Sequence, residues 1–187
     1  ADSTLPLEWG LAPGNGAYVA LLAATVGREP TVVGKPHAPL YRAAVERLGT
    51  RPEATLAVGD RLDTDIAGAV AAGLDSAWLL TGVHRPSELL RRHEDSVPTW
   101  LLGTLSELEQ PYAAVCPDAD GWTCAGGRVA LSAGGLDVVP GGARPVELVR
   151  AGLAALLDAL EGGRVGSREL ERLAGELDEL LDLSGSS

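Results

Sequence analysis

The sequence predicts an α/β protein, with a partial doubly wound parallel sheet followed by a small α+β module. Residues 55–58 form an apolar run without polar alternation, which is typical of a strand buried on both faces of a parallel sheet. Candidate strands and helices alternate around it with short connections, which is the pattern of a doubly wound sheet. After Gln110 the pattern changes to short β segments separated by glycine-rich turns, and then to two helices.

The elements of the first part are assigned in chain order. Residues 1–16 hold turn-forming pairs without a clear period, so we expect a loop there. Residues 17–26 are rich in Ala and Leu and are followed by Gly27, which predicts a helix and its end. The same reasoning gives strands at 31–33, 55–58, 76–80 and 99–102, and helices at 39–48, 66–72, 88–93 and 105–108.

The second part is predicted to be a small separate module of four β segments and two helices. The β segments are assigned to residues 112–115, 122–124, 128–131 and 136–139. The helices follow at 145–160 and 167–183, and Ser167 is the predicted N-cap residue of the second one.

The charge of the chain limits its partners. A formal net charge of −11 argues against nucleic acids and anionic membrane surfaces, because a protein that binds backbone phosphates needs a basic face. No apolar run approaches the roughly 18 residues of a membrane span. A small phosphorylated metabolite remains possible, because a local metal ion and one lysine can reverse the sign of the charge inside a pocket.

Cysteine and methionine usage bear on location and completeness. Cys116 and Cys124 could bridge across a hairpin, but two cysteines make a poor disulfide framework, so we expect free thiols and a cytoplasmic location. The chain contains no Met and begins with Ala1. Either a leader was removed, or the chain is the later part of a longer polypeptide, which the motifs below favour.

The candidate site combines one lysine with a group of acids. Lys35 is the only lysine and follows the predicted strand at 31–33, whereas Asp60, Asp63 and Asp65 follow the strand at 55–58. Carboxyl ends of neighbouring parallel strands meet at one edge of a sheet, so we expect these side chains to face one crevice. Carboxylates are hard ligands of the kind Mg²⁺ accepts, and an ammonium binds a phosphoryl oxygen or neutralises a carboxylate as a point charge.

Two of these segments resemble motifs of the haloacid dehalogenase (HAD) superfamily of phosphatases. Gly34-Lys35-Pro36 resembles the segment that carries the family's motif-three lysine, and Gly59-Asp60 with Asp65 resembles its motif-four acids. The resemblance covers about residues 1–108 and is nearest to the nitrophenylphosphatase-like and phosphoglycolate-phosphatase-like branch. Within that branch, the layout is similar to mycobacterial-type glycerol-phosphate phosphatases, which carry an acetyltransferase-like extension after the core.

The resemblance implies Mg²⁺-dependent hydrolysis of small phosphate monoesters, such as glycerol phosphate, through an aspartyl-phosphate. It implies that Asp60 ligates Mg²⁺, that Asp65 supports the metal-bound waters and the lysine, and that Lys35 steadies the nucleophile and the phosphate. Asn15 is a weaker candidate for substrate contact, with a turn role as the alternative. We expect Asp63 and the three histidines, His37, His84 and His93, to be structural or solvated.

The resemblance also implies how the chain is divided. Residues 1–27 would be the end of a cap domain and the hinge, residues 28–110 the second half of the core, and residues 111–187 a C-terminal module without a clear coenzyme A site. The family's first motif, which supplies the nucleophilic aspartate, should precede these segments and has no match there. The alternative is therefore a non-catalytic fragment or pseudo-enzyme, whose partner would be the missing N-terminal segment or a second copy.

One later segment nearly spells the missing first motif. Asp118 to Thr123 would imply a circular permutation if it were that motif. However, Cys116 and Pro117 interrupt the strand that should deliver the first aspartate, and Trp122 displaces the threonine. We therefore favour a β-hairpin turn at this position.

Overall fold

A computed structural model describes residues 3–91 and 96–185 of the chain. The strands are β1 (Thr4–Leu7), β2 (Gly10–Pro13), β3 (Leu56–Gly59), β4 (Asp75–Leu79), β5 (Trp100–Leu102), β6 (Val115–Asp118), β7 (Gly121–Cys124), β8 (Gly127–Ser132) and β9 (Gly135–Val139). The α-helices are α1 (Asn15–Val26), α2 (Ala38–Leu48), α3 (Ala67–Ala72), α4 (Pro145–Glu161) and α5 (Ser167–Glu179). Shorter helices cover Pro52–Ala54, Leu62–Ile66, Pro86–Arg91, Leu105–Glu109 and Leu180–Gly185.

The first described residues form a hairpin, so the predicted loop at 1–16 was wrong. Strands β1 and β2 pair antiparallel and are joined by Glu8 and Trp9. Large apolar residues stand at every second position here, but Leu5, Leu7, Trp9 and Leu11 are all exposed, so the alternation does not mark a buried face. The turn-forming Leu5-Pro6 pair favoured the loop prediction. Helix α1 follows and packs against this hairpin.

The predicted parallel sheet is present and carries the candidate site. Strands β3, β4 and β5 pair in parallel, in that order. The predicted strand at 31–33 is absent, because none of the described strands pairs with these residues and a strand needs a hydrogen-bonding partner. Lys35 therefore follows an exposed segment rather than a strand, although helix α2 still connects it to β3.

The C-terminal residues form an antiparallel four-stranded meander, β6 to β9, with α4 packed on it. Asp118 pairs with Gly121, so Ala119 and Asp120 form the turn of a hairpin. This confirms the hairpin interpretation and contradicts a circular permutation, because Asp118 does not end a parallel strand.

Two boundaries in this region differ from the sequence prediction. Strand β6 begins at Val115 rather than at Tyr112, because the Tyr112 ring turns away to pack edge-on against Trp100, with 4.8 Å between ring centroids. The N-cap of α5 is Gly166, and Ser167 is already the first helical residue. The predicted Ser167 cap was therefore wrong, and within the described residues no side-chain hydrogen bond caps this helix.

One hydrophobic core joins the parallel sheet to the C-terminal meander. Trp78 of β4 belongs to the same buried cluster as Leu148 of α4 and Leu177 of α5. A smaller cluster around Val45, Ala69 and Leu74 holds α2 against α3. The predicted domain boundary near residue 110 stays a prediction. None of the helices in the described residues is long and apolar enough to cross a membrane.

Candidate functional site

Lys35 and Asp65 form the centre of the site. The Lys35 Nζ donates a hydrogen bond of 2.6 Å to Asp65 Oδ1, and the backbone N–H of Arg61 donates to Asp65 Oδ2 at 3.2 Å. The hydrogen bond to Asp65 raises the pKa of Lys35 above its ordinary value, and the nearby Asp60 carboxylate adds to this effect. The ammonium therefore stays protonated over the physiological pH range.

A wide helical turn places Asp65 under the lysine. Residues Leu62–Ile66 form one π-helical turn directly after β3, and both Leu62 and Ile66 are fully buried. The Asp65 side chain folds back over Gly59, at the end of β3, where a Cβ would lie 2.7 Å from Asp65 Cγ. Only glycine leaves room for this approach, so the glycine that precedes Asp60 at the strand end is explained by its packing against Asp65.

Tyr41 is a supporting residue that sequence reasoning missed. Its hydroxyl donates to the backbone carbonyl of Asp65 at 2.9 Å, which ties α2 to the π-helical turn. The Tyr41 ring lies against Gly68, where a Cβ would come within 2.5 Å of the ring. No motif marks Tyr41, because its role depends on the packing of α2 against α3.

Asp60 presents the open carboxylate of the site. Its backbone carbonyl accepts a hydrogen bond of 3.0 Å from the indole N–H of Trp78, while its side chain lies against Gly82. The residue is exposed, and its carboxylate has no hydrogen bond or ion pair within residues 3–91 and 96–185. Asp60 is therefore free to bind a ligand.

Asp63 is occupied by its neighbours, which agrees with its predicted structural role. Arg61 donates to both of its oxygens, at 3.1 and 2.8 Å, and His84 Nε2 lies 3.3 Å from Oδ1. The hydrogen bonds from Arg61 lower the pKa of Asp63 to about 2, and His84 adds to this effect. His84 is largely buried and lies between Asp63 and Glu88, His37 is exposed, and His93 lies outside the described residues.

The other candidates are not brought into this cluster. Asn15 is the exposed first residue of α1, and no hydrogen bond or ion pair joins it to Lys35, Asp60 or Asp65 in the described part of the chain. Its substrate contact stays a prediction. Cys116 is exposed and Cys124 is buried, and both are free thiols, as predicted.

The acids present fit one kind of metal ion. Within the described residues, no three His, Cys, Asp or Glu side chains converge as a metal cage. Among the strand-end acids that the structure describes, Asp65 is engaged by Lys35 and Asp63 by Arg61, so Asp60 supplies the open carboxylate. This donor set fits Mg²⁺, which uses one or two protein carboxylates together with waters and substrate phosphate, and does not fit a closed zinc site.

Comparisons with known proteins agree with this geometry. The profile of the HAD-hydrolase-like family matches residues 32–108. A D-glycerol 3-phosphate phosphatase from Mycobacterium tuberculosis is 42% identical over 166 residues, which is 84% of this chain and 45% of that protein. A dihydroxyacetone phosphatase from Corynebacterium glutamicum is 33% identical over 107 residues, covering 57% of this chain and 38% of that protein.

A solved structure extends the similarity to nearly the whole chain. The glycerol phosphate phosphatase of Mycobacterium tuberculosis in complex with magnesium superposes with a TM-score of 0.65 and 37% identity. The match covers 96% of this chain and 53% of that one. The chain spans about half or less of the length of the relatives that it matches. Residues 32–108 of this chain are thus similar to the HAD-hydrolase-like family.

Proposed function

We propose that the protein to which this chain belongs is a Mg²⁺-dependent phosphatase of small phosphate monoesters in the cytoplasm. The observation that carries the proposal is the 2.6 Å pair of Lys35 with Asp65, which lies next to the open Asp60 carboxylate where parallel strand β3 ends. Ligands of open α/β sheets bind at this edge. An ammonium beside an unfilled acid suits a phosphate that arrives with a divalent cation.

Each of the three side chains has a distinct role in this proposal. Lys35 holds a phosphoryl oxygen as a point charge, and its bond to Asp65 fixes the direction of the ammonium. Asp60 holds Mg²⁺, which supplies charge neutralisation at the phosphoryl group. Asp65 sits 9% exposed behind Lys35 and orients both the lysine and the waters near Asp60.

The nucleophile of the proposed reaction is an aspartate that forms an aspartyl-phosphate. None of the residues of this chain that resemble the family's motifs supplies it, so the remainder of the protein would. Hydrolysis then has two steps, phosphoryl transfer to the aspartate and attack by water. The negative charge of the phosphoryl group must be neutralised in both. Lys35 serves both steps without changing its protonation state, because its pKa is raised.

Glycerol phosphate is the proposed substrate class. Two relatives are named as phosphatases of glycerol 3-phosphate and of dihydroxyacetone, and both names denote small polyols or ketoses. The net charge of −11 favours a small metabolite over nucleic acid or an anionic membrane.

The test compares two neighbouring acids in the full-length protein. Asp60→Asn should lower kcat/KM for glycerol phosphate on the order of a thousandfold, because metal-based charge stabilisation contributes several kcal/mol. Asp63→Asn should change it by less than about threefold, since Asp63 is held by Arg61 and His84. Equal effects of the two variants would overturn the assignment of Asp60.

A second candidate is that this chain by itself is a non-catalytic structural domain. In the described residues, the outer edge of β3 pairs with no strand, and Leu56 and Val58 on it are about 40% exposed. Val32 and Val33 are also exposed. An open apolar edge favours association with further strands, which the remaining part of the same protein or a second copy would provide.

The two candidates are separated by assaying the chain alone. We expect a 187-residue chain of verified mass to show no phosphate release with Mg²⁺, and to become active when mixed with a segment that carries the family's first motif. Turnover by the isolated chain would contradict the structural alternative and would require a nucleophile within these residues.

A further inference from the structure

A carboxylate of the C-terminal module is connected to the candidate site through one short segment. Asp178 lies on α5, outside the residues that match the family profile. We propose that Asp178 is a positioning residue for Asp60, acting through the connecting segment, residues 80–88. The inference rests on the proposed function, since it assigns Asp178 a role in holding the Mg²⁺ ligand in place.

The connecting segment is held to α5 at its far end. Both oxygens of Asp178 accept hydrogen bonds from Ser87, one from the backbone N–H at 2.9 Å and one from the hydroxyl at 2.7 Å. Both bonds are partly buried, and the preceding Pro86 is buried. This two-point contact fixes the start of the short helix Pro86–Arg91 relative to α5.

The middle of the connecting segment is tied both to itself and to the site. Glu88 accepts a hydrogen bond of 2.9 Å from the backbone N–H of Arg85, and its other oxygen lies 2.9 Å from His84 Nδ1. The opposite ring nitrogen of His84 lies 3.3 Å from Asp63 Oδ1. The helix start that Asp178 fixes is therefore linked to the loop between β3 and α3.

The near end of the connecting segment touches Asp60. Leu80 donates a backbone hydrogen bond of 2.9 Å to the carbonyl of Leu102, which fixes where the segment begins. Two residues later, Gly82 packs so closely on Asp60 that a Cβ there would lie 2.7 Å from the Asp60 carbonyl oxygen and 2.8 Å from Oδ2. The position of the Gly82 backbone thus sets the space available to the Asp60 carboxylate.

Helix α5 is a firm anchor because it is also held from the other side. Glu176, two residues before Asp178, accepts a hydrogen bond of 2.7 Å from the backbone N–H of Leu136 at β9. The buried Leu173 and Leu177 fix the same helix in the hydrophobic core. Groups that orient a metal ligand without touching the metal influence how tightly the site binds that metal. In this proposal Asp178 of α5 is such a group, acting at a distance.

The experiment measures Mg²⁺ affinity, by isothermal titration calorimetry, of the full-length protein and its variants. Asp178→Ala should raise the dissociation constant about three- to tenfold, which is below the roughly 10–100-fold effect of groups that contact a metal ligand directly. Asp178→Asn keeps one acceptor and should recover part of the loss. Its retained shape also provides a folded variant if the alanine variant is unstable.

Two controls on the same helix separate positioning from simple stability. Glu179→Ala removes an exposed charge from the next residue and should change neither affinity nor melting temperature. Glu176→Ala removes one contact of α5 with β9 and should lower the melting temperature. It should leave Mg²⁺ affinity within about twofold, because the buried Leu173 and Leu177 still hold the helix in place.

The outcomes distinguish this inference from the proposed function. If wild type binds Mg²⁺ and hydrolyses phosphate esters but Asp178→Ala binds Mg²⁺ equally well, only the positioning role is overturned. An equal loss of affinity in Glu176→Ala would also overturn it, because the effect would then follow from stability alone. A wild type that binds no Mg²⁺ would refute the assignment of Asp60 and the role of Asp178 with it.

Discussion

Two clusters of opposite charges among the described residues differ in how far they are closed to solvent. In the strand-end cluster (Lys35, Asp60 and Asp65), the side chain of Lys35 is 49% exposed and that of Asp65 is 12% exposed. In the buried cluster (Glu107, Arg144 and Arg150), the side chains of Arg150 and Glu107 are only 3% and 7% exposed. Both clusters lie beside the parallel sheet, so an ion pair in this region does not by itself indicate function.

The buried cluster uses its charges to join two parts of the fold. Arg150 of α4 donates to the carbonyl of Leu101 in β5 and to Glu107 at 3.2 Å, and its guanidinium lies 3.8 Å above the Tyr112 ring centroid. Glu107 also accepts from the backbone N–H of Gly103 at 3.2 Å. These contacts occupy both Glu107 oxygens and leave no open acceptor.

The strand-end cluster keeps an acceptor open. Asp65 is fully engaged, but the Asp60 carboxylate beside it has no hydrogen bond or ion pair among the described residues. In the strand-end cluster an exposed carboxylate stays open beside an ion pair, whereas in the buried cluster both oxygens of the carboxylate are occupied. We expect the first arrangement at a chemical site and the second at a structural joint. The predictions below test this distinction.

The largest effect on stability should come from the buried cluster. Arg150→Met leaves Glu107 buried without its main partner and should lower the free energy of unfolding by about 3–5 kcal/mol. Arg164→Met, which removes a half-exposed pair with Asp158, should cost less than about 1 kcal/mol. Urea unfolding of the three proteins measures both values.

Mg²⁺ binding should not depend on the buried cluster in the way that stability does. At temperatures well below its unfolding midpoint, the Arg150→Met protein should retain its Mg²⁺ affinity, because Arg150 contacts β5 and not the loop after β3. A similar loss of stability for Arg150→Met and Arg164→Met would mean that the buried cluster is not a structural joint.

The strand-end cluster should show the opposite behaviour for Lys35→Arg. The guanidinium is bulkier and prefers a forked contact, so it would displace the phosphoryl group by about 1 Å and lower kcat/KM on the order of a hundredfold. The melting temperature should hardly change, because half of the Lys35 side chain is exposed. Near-wild-type kinetics would show that any cation suffices and would remove the main support for a phosphate site at Lys35.

Local sequence signals predicted the helices of the first half well. Gly27, Gly49 and Gly73 end α1, α2 and α3 in the left-handed conformation, with φ of 65°, 65° and 75°. A helix end depends on one residue and its near neighbours, so the sequence can specify it. The order of Lys35, Asp60 and Asp65 likewise indicated which side chains would cluster.

Features that depend on distant partners were missed. The strand at 31–33 failed because strand formation requires a neighbour that the described residues do not supply. Tyr112 was assigned to a strand, but its ring packs with Trp100 and lies under Arg150. Tyr41 supports Asp65 through a contact across 24 positions of sequence, which no periodicity encodes.

Two glycine substitutions should have smaller effects on stability, one at the strand-end cluster and one far from both clusters. Gly59→Ala places a Cβ against the Asp65 side chain and should destabilise the fold by about 1–3 kcal/mol while displacing Asp65 from Lys35. Gly175→Ala lies in open space on helix α5 and should stabilise it by about 0.5–1 kcal/mol. Thermal unfolding and kcat/KM together provide the test, and a Gly59→Ala protein with normal activity would contradict the need for this close approach.

The smallest effect should be the pH dependence of the pair next to the site. The pKa of Asp63 is lowered from 3.8 to about 2 by Arg61, so the pair stabilises the folded state fully above pH 3.8 and loses this contribution as the pH falls through about 2. The carbon-13 shift of the Asp63 carboxyl, followed by NMR, should therefore titrate with a midpoint near 2. Because this side chain is 43% exposed, about 1 M NaCl should move the midpoint back toward 3.8 by screening the arginine. An ordinary midpoint at low salt would mean that Arg61 does not hold Asp63, and Asp63 would then be as open to Mg²⁺ as Asp60.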